Sequence, residues 1–194
     1  MKRVLLFLPQ GFEMIEAAAF IDVIAWNQIE GNGQTELKTC GFKREIAATG
    51  GQRMIAELLI DDANVDDFDA LAIPGGFEEY GYYTEAYDDR LSDLIRSFHG
   101  KKKPIFTVCT AALALGKSGI LAGKRATTYD KNPKRHEELK EMGAVFMEGP
   151  FAKDGGIITS CNPSTAIEVA FLLLEELTGK INTDIIKNKM GFKN

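Results

Sequence analysis

Lys103-Pro104-Ile105-Phe106-Thr107-Val108-Cys109-Thr110-Ala111-Ala112-Leu113-Ala114-Leu115 is the stretch that decides the fold. Pro104 to Val108 is mostly apolar and β-branched or aromatic, which suits a strand buried on both faces. Small residues and leucines follow at once and suit a tightly packed helix. Cys109 stands at the junction. A strand that turns straight into a helix sets its junction side chain at the carboxyl edge of the sheet, where open α/β folds bind ligands. The unpaired N–H groups of the helix start, with their partial positive charge, favour a thiolate there. Serine hydrolases hold their nucleophile on the same kind of turn. The plainer alternative is a small, inert core cysteine.

Outward from that junction, buried strands alternate with helices. Arg3 to Leu8 and Ala70 to Ile73 read as further buried strands, ended by Pro9-Gln10-Gly11 and Pro74-Gly75-Gly76. Glu13 to about Gln28 reads as a helix with Ile15, Ala19, Val23 and Trp26 near one face, and Asp88 to His99 as another with Leu91, Leu94, Ile95 and Phe98 inward. Tyr80 to Tyr87 reads as an aromatic, polar loop, and Arg125 to Tyr129 as a short strand. Ile46 to Ile55, around Gly50-Gly51, and Phe151 to Ser160, with Asp154-Gly155, read as hairpins. Asn132-Pro133 and Asn162-Pro163 open helices, Gly179 closes one, and Thr183 to Lys189 forms a last short helix. Such alternation predicts a mostly parallel sheet with helices on both faces. Without repeats or linkers, residues 1–194 are expected to form one domain, with a core over about 2–179 and a C-terminal helix and tail over 180–194.

The composition is ordinary for a globular chain of 194 residues, with 45% hydrophobic and 26% charged residues and a net charge of −5. That charge leaves no electrostatic footprint for nucleic acid, and Lys101-Lys102-Lys103 is too short to alter this. No apolar run is long enough to span a membrane, and Val4 to Leu8 is too short for a secretion signal. Cys40, Cys109 and Cys161 form neither a C-x-x-C pair nor a zinc spacing. The expectation is a cytoplasmic protein with free thiols, no metal and no cofactor. Cys40 is expected only to pack.

Two other stretches reach the same sheet edge as Cys109. Gly75-Gly76 follows a buried strand, and N–H groups in a glycine turn can approach an oxyanion closely. Glu16 lies in the first turn of the first helix among apolar neighbours. It is either solvated there or buried and protonated, in which case it can donate a hydrogen bond to a thiolate. Glu13 fits a plain favourable charge at a helix start.

Taken in order, Gly11-Phe12-Glu13-Met14-Ile15-Glu16-Ala17, Pro74-Gly75-Gly76, Val108-Cys109, Thr159-Ser160 and Pro163-Ser164-Thr165 resemble the ThiJ/PfpI family from Lys2 to about Gly179. The resemblance implies a flavodoxin-like three-layer sandwich of the class I glutamine amidotransferase-like kind, and a homodimer. It implies that Cys109 is a reactive, readily oxidised nucleophile, hydrogen-bonded by Glu16. Gly75, Gly76 and Thr110 would line an oxyanion site, with Tyr129, Cys161 and Pro163 around the substrate. Two positions depart from the family pattern. Tyr129 stands where glyoxalase and deglycase members carry a histidine, and a phenol is a poor general base at neutral pH. Cys161 stands where relatives carry a basic residue. It is either a passive strand-end residue or a thiol able to resolve an oxidised Cys109. Of the two histidines, His99 ends a surface helix and His136 is expected to be solvated.

Three functions fit these residues. The first is an enzyme acting on small reactive carbonyls, glyoxalase- or deglycase-like. The second is a non-catalytic redox sensor. The third is an intracellular protease or amidase, against which the missing base argues.

Overall fold

The structure is a computed structural model that describes residues 1–192; Lys193 and Asn194, the end of the expected tail, lie outside the described residues. Strands run β1 (Lys2–Phe7), β2 (Thr35–Gly41), β3 (Glu45–Ala47), β4 (Arg53–Ile55), β5 (Leu58–Leu59), β6 (Ala70–Ile73), β7 (Ile105–Thr107), β8 (Arg125–Ala126), β9 (Val145–Phe146), β10 (Phe151–Asp154) and β11 (Ile157–Ser160). Helices run α1 (Met14–Glu30), α2 (Tyr82–Ala86), α3 (Asp89–Gly100), α4 (Ala112–Lys117), α5 (Pro133–Glu141), α6 (Ala166–Thr178) and α7 (Lys180–Lys189). Seven strands form one sheet in the order β10-β11-β7-β6-β1-β2-β5. Every neighbouring pair is parallel except β10–β11, a hairpin at one edge. The β3–β4 hairpin and the parallel pair β8–β9 stand apart.

Alternation along the strands divides the core into two layers. Val4, Leu6, Ala72, Phe106 and Ile158 pack against Phe20 and Val23 of α1, Val169 and Leu173 of α6, and Ile186 of α7. Leu5, Phe7, Leu71, Ile105 and Ile157 pack against Leu91 and Ile95 of α3, Leu113 of α4 and Leu139 of α5. Strands covered on both faces must be apolar at successive residues, and these are.

Three local expectations are corrected. The buried face of α1 carries Glu16, Phe20, Val23, Ile24 and Asn27, whereas Ile15 and Trp26 are exposed. Spacing alone could not choose between two apolar stripes on one helix. The aromatic segment after Tyr80 is not a loop. Gly81, at φ +84°, ends a short 3-10 turn and starts α2, which buries Tyr82 completely. The Tyr82 hydroxyl donates to Pro74 O at 2.8 Å, the partner that a buried phenol needs. β8 stops at Ala126, because beyond it side chains replace the ladder: Thr127 N–H donates to Thr159 Oγ1 at 2.9 Å.

Candidate active site

The chain leaves β1 for β2 on one side and later returns to β6 on the other. Such a reversal opens a crevice at the carboxyl ends of the strands. Loops after β1, β6 and β7 meet there and bring Glu13 and Glu16, Gly75 and Gly76, and Cys109 together.

Cys109 has φ +55°, in the left-handed region that residues with a Cβ avoid. Such a conformation costs about 1–3 kcal/mol and persists only where surrounding structure imposes it. Here β7 is paired on both sides, Ala111 N–H donates to Val108 O at 3.0 Å, and the Thr128 hydroxyl donates to Cys109 O at 3.2 Å. Gly75 closes the elbow from the β6 side: a Cβ there would lie 2.8 Å from Thr110 Oγ1 and 2.9 Å from Thr110 N. Glycine is required by this close approach.

Glu16 is wholly buried on the first turn of α1. Its Oε2 accepts from Gly75 N–H at 2.6 Å, and its Oε1 has no hydrogen-bond partner. Burial, followed by the charge of Glu13, pushes its carboxyl well above the usual range and so toward its protonated form. Glu13 caps α1 and is half-buried; burial raises it too, while its side-chain bond with Glu16 opposes the rise. The carboxyl oxygens of Glu13 and Glu16 and the Cys109 sulfur all lie within 4.8 Å of one another. These three are the side chains that could take a metal ion, though a protonated Glu16 bonded to Gly75 N–H is a poor ligand. The sequence reading missed Glu13.

Burial pushes Cys109 up, the neighbouring Glu16 carboxyl adds to this when charged, and the Thr110 N–H opposes it. This reverses the sequence expectation. Only a single 3-10 turn and a six-residue helix follow the sulfur, which is 4% exposed beside two carboxyl groups.

A cleft of about 280 Å³ opens above the sulfur. Of the sequence candidates, Cys109, Gly76, Thr110, Tyr129 and Pro163 line it, and Glu16 and Gly75 lie behind it. The two glycine amides are already engaged, Gly75 with Glu16 and Gly76 with Thr110 Oγ1 at 3.0 Å. Cys161 is not part of the lining. It is a buried free thiol, as are Cys40 and Cys109, and its sulfur accepts from Asn162 Nδ2 at 3.1 Å. Neither histidine lines the cleft. His136 is not simply solvated: its Nε2 sits 3.0 Å from Tyr129 O and its ring stacks on Phe146 at 4.4 Å. The sequence reading also missed Tyr83 of α2 and Arg135 of α5, which form the opposite wall. Arg135 bonds Glu138 Oε2 at 2.7 Å and Glu78 Oε2 at 2.8 Å, and its Cζ lies 4.2 Å over the Tyr83 ring. No local pattern announces this pair, whose members stand far apart in the chain.

An open parallel sheet of this order, with a strained cysteine after β7 and a buried carboxyl from the first helix, defines a class of flavodoxin-like proteins built around a cysteine elbow. The chain belongs to the DJ-1/PfpI family, whose signature matches residues 2–176. It is 31% identical over 188 residues to Protein DJ-1 homolog A of Arabidopsis thaliana, covering 96% of this chain and 46% of that protein. The chain thus spans about half the length of that relative. It is 29% identical over 188 residues to Protein dj-1beta of Drosophila melanogaster, covering 92% of this chain and 91% of that one. Over 124 residues it is 30% identical to the isonitrile hydratase of Pseudomonas putida, covering 64% of this chain and 52% of that enzyme. The crystal structure of Drosophila DJ-1beta superposes with a TM-score of 0.87 at 24% identity, covering 100% of this chain and 99% of that one.

Proposed function

We propose that the protein is a cofactor-independent cysteine enzyme acting on small reactive carbonyls, with Cys109 as nucleophile and Glu13 and Glu16 as its proton-handling pair. The observation that carries this reading is the strained Cys109 beside the wholly buried Glu16 carboxyl in a cleft fit for a small molecule. The thiol must lose its proton as it attacks, and Glu13 is the carboxylate within reach. On methylglyoxal, the sulfur adds to the aldehyde carbon, the carbonyl pair moves to oxygen, and the thiol proton passes through Glu13 to that oxygen. Glu13 then moves the carbon-bound proton of this hemithioacetal to the neighbouring carbon, while the hydroxyl proton passes from the first oxygen to the second, leaving a lactoyl thioester. Water hydrolyses the thioester, freeing lactate and the thiol. A carboxylate raised by burial is a better base near neutral pH than an ordinary one, which supports turnover without a histidine in the cleft.

The test is methylglyoxal consumption with lactate followed as product. Cys109→Ser is expected to abolish turnover, and Glu16→Gln to lower it by about 10²-fold. Wild-type protein that consumes no methylglyoxal overturns the reading. The redox-sensor alternative is favoured by the lack of a histidine in the cleft; it predicts stoichiometric oxidation of Cys109 by peroxide with no turnover. Peptide hydrolysis fits poorly, since a cleft of about 280 Å³ leaves little room for a polypeptide.

We further propose a homodimer. Ile15, Trp26 and Ile29 share the outer stripe of α1 and are exposed. Three buried, free thiols favour a reducing compartment such as the cytoplasm.

A further inference from the structure

Attack on a carbonyl gathers negative charge on oxygen, and a site must present donors to it. The two glycine amides expected to serve are engaged elsewhere, and the Thr110 N–H faces the sulfur. The donors left on the cleft wall are the Tyr83 and Tyr129 phenols, the Asn132 amide and the Arg135 guanidinium.

Resting on the carbonyl-enzyme reading, we propose that the Tyr83 hydroxyl holds the substrate oxygen above Cys109, and that Arg135 is the residue that positions Tyr83. Three features single out Tyr83. Tyr82 donates its hydroxyl to Pro74 O and Tyr87 bonds Glu138, whereas Tyr83 lines the cleft with its hydroxyl against the Thr110 side chain, a bond that a substrate oxygen would replace. Its ring is gripped on several sides: Tyr82 meets it edge-on at 5.3 Å, Tyr87 lies at 5.1 Å, and the Arg135 guanidinium covers it at 4.2 Å. The Arg135 charge is attracted to the ring face and opposes the rise that burial gives the Tyr83 hydroxyl. Arg135 is itself fixed by Glu78 and Glu138. Among the described residues, no such cation lies over the Tyr129 ring.

In the addition step, Cys109 Sγ forms a bond to the carbonyl carbon and the π pair moves onto oxygen. Tyr83 donates a hydrogen bond to that oxygen and keeps its proton. The proton that completes the hydroxyl is the one the thiol released to Glu13. The role therefore concerns electrophiles that place charge on a carbonyl oxygen, and no others.

The experiment compares two irreversible probes of Cys109 by intact mass. Acrylamide gathers charge on its carbonyl oxygen when a thiol adds; methyl methanethiosulfonate has no carbonyl. In Tyr83→Phe, acrylamide labelling and methylglyoxal kcat are expected to fall by about 10²-fold, with KM changed less than about threefold and methanethiosulfonate labelling unchanged. Arg135→Gln is expected to give the same carbonyl-selective loss, partly rescued in Arg135→Lys. Equal slowing of both probes in Tyr83→Phe would mean a displaced elbow and overturns the proposal. So does an unaltered acrylamide rate, or a larger carbonyl-selective loss in Tyr129→Phe. If wild type labels with acrylamide in a Tyr83-dependent way yet turns over no methylglyoxal, the carbonyl-enzyme reading fails and the role of Tyr83 stands.

Discussion

Glu16 is a carboxyl group that the fold keeps neutral. One oxygen accepts the Gly75 N–H, the other has no hydrogen-bond partner among the described residues, and the side chain is wholly buried beside Glu13 and Cys109. Its pKa in the folded chain lies well above the 4.5 of a free side chain. Protonated Glu16 therefore favours the folded state fully below pH about 4.5, and that contribution is lost as pH rises toward the folded-state pKa, because the unfolded chain releases the proton. Glu16→Gln removes this loss. Urea denaturation at about pH 5 and about pH 8 is expected to show the variant gaining stability relative to wild type as pH rises; parallel curves would place a charged carboxylate in the core instead. That Glu16 sits at the right edge was legible in its apolar neighbours. The weight of Glu13 was not, because a carboxylate at a helix start reads the same whether it faces water or a thiol.

The elbow after β7 works only because the turn after β6 has no side chains. A methyl group on Gly75 would press on Thr110, and one on Gly76 would come within 2.3 Å of Gly11 O and of the Tyr82 ring. Gly75→Ala is expected to cost about 2 kcal/mol in a urea melt and to slow Cys109 labelling, since Thr110 must move. Unchanged stability would show that the elbow has slack. The strand, the turn and the helix were readable from Pro104 to Leu115, since hydrophobic runs and small residues are local signals. The shortness of α4 and the burial of the sulfur were not, and together they invert the electrostatic expectation. α2 was hidden for a similar reason: tyrosines and glycines read as a loop until Tyr82 finds its acceptor on the neighbouring turn.

Across the whole molecule, the sheet order sets what can meet. Glu16 follows β1, Gly75 follows β6 and Cys109 follows β7, and these three strands lie side by side at the point where the order reverses. The outer stripe of α1 is the counterpart of that arrangement, since its apolar residues face away from the core. Sedimentation velocity is expected to give a dimer for wild type and a folded monomer for Ile15→Glu combined with Ile29→Glu. Monomeric wild type at micromolar concentration would sink the dimer. No helix among the described residues is long and apolar enough to cross a membrane.

The sequence by itself determined the class of fold, where along the chain the main buried strands lie, and which cysteine stands at a strand–helix junction. Those depend on periodicity and on small residues at fixed offsets, which are properties of neighbours in the chain. Only the tertiary structure decided which stripe of α1 is buried, that the two glycine amides are already engaged, and that Tyr83 and Arg135 wall the cleft. It also decided that the thiol is pushed up rather than down. Each of these depends on which distant groups share a low-dielectric space, and no local pattern records that.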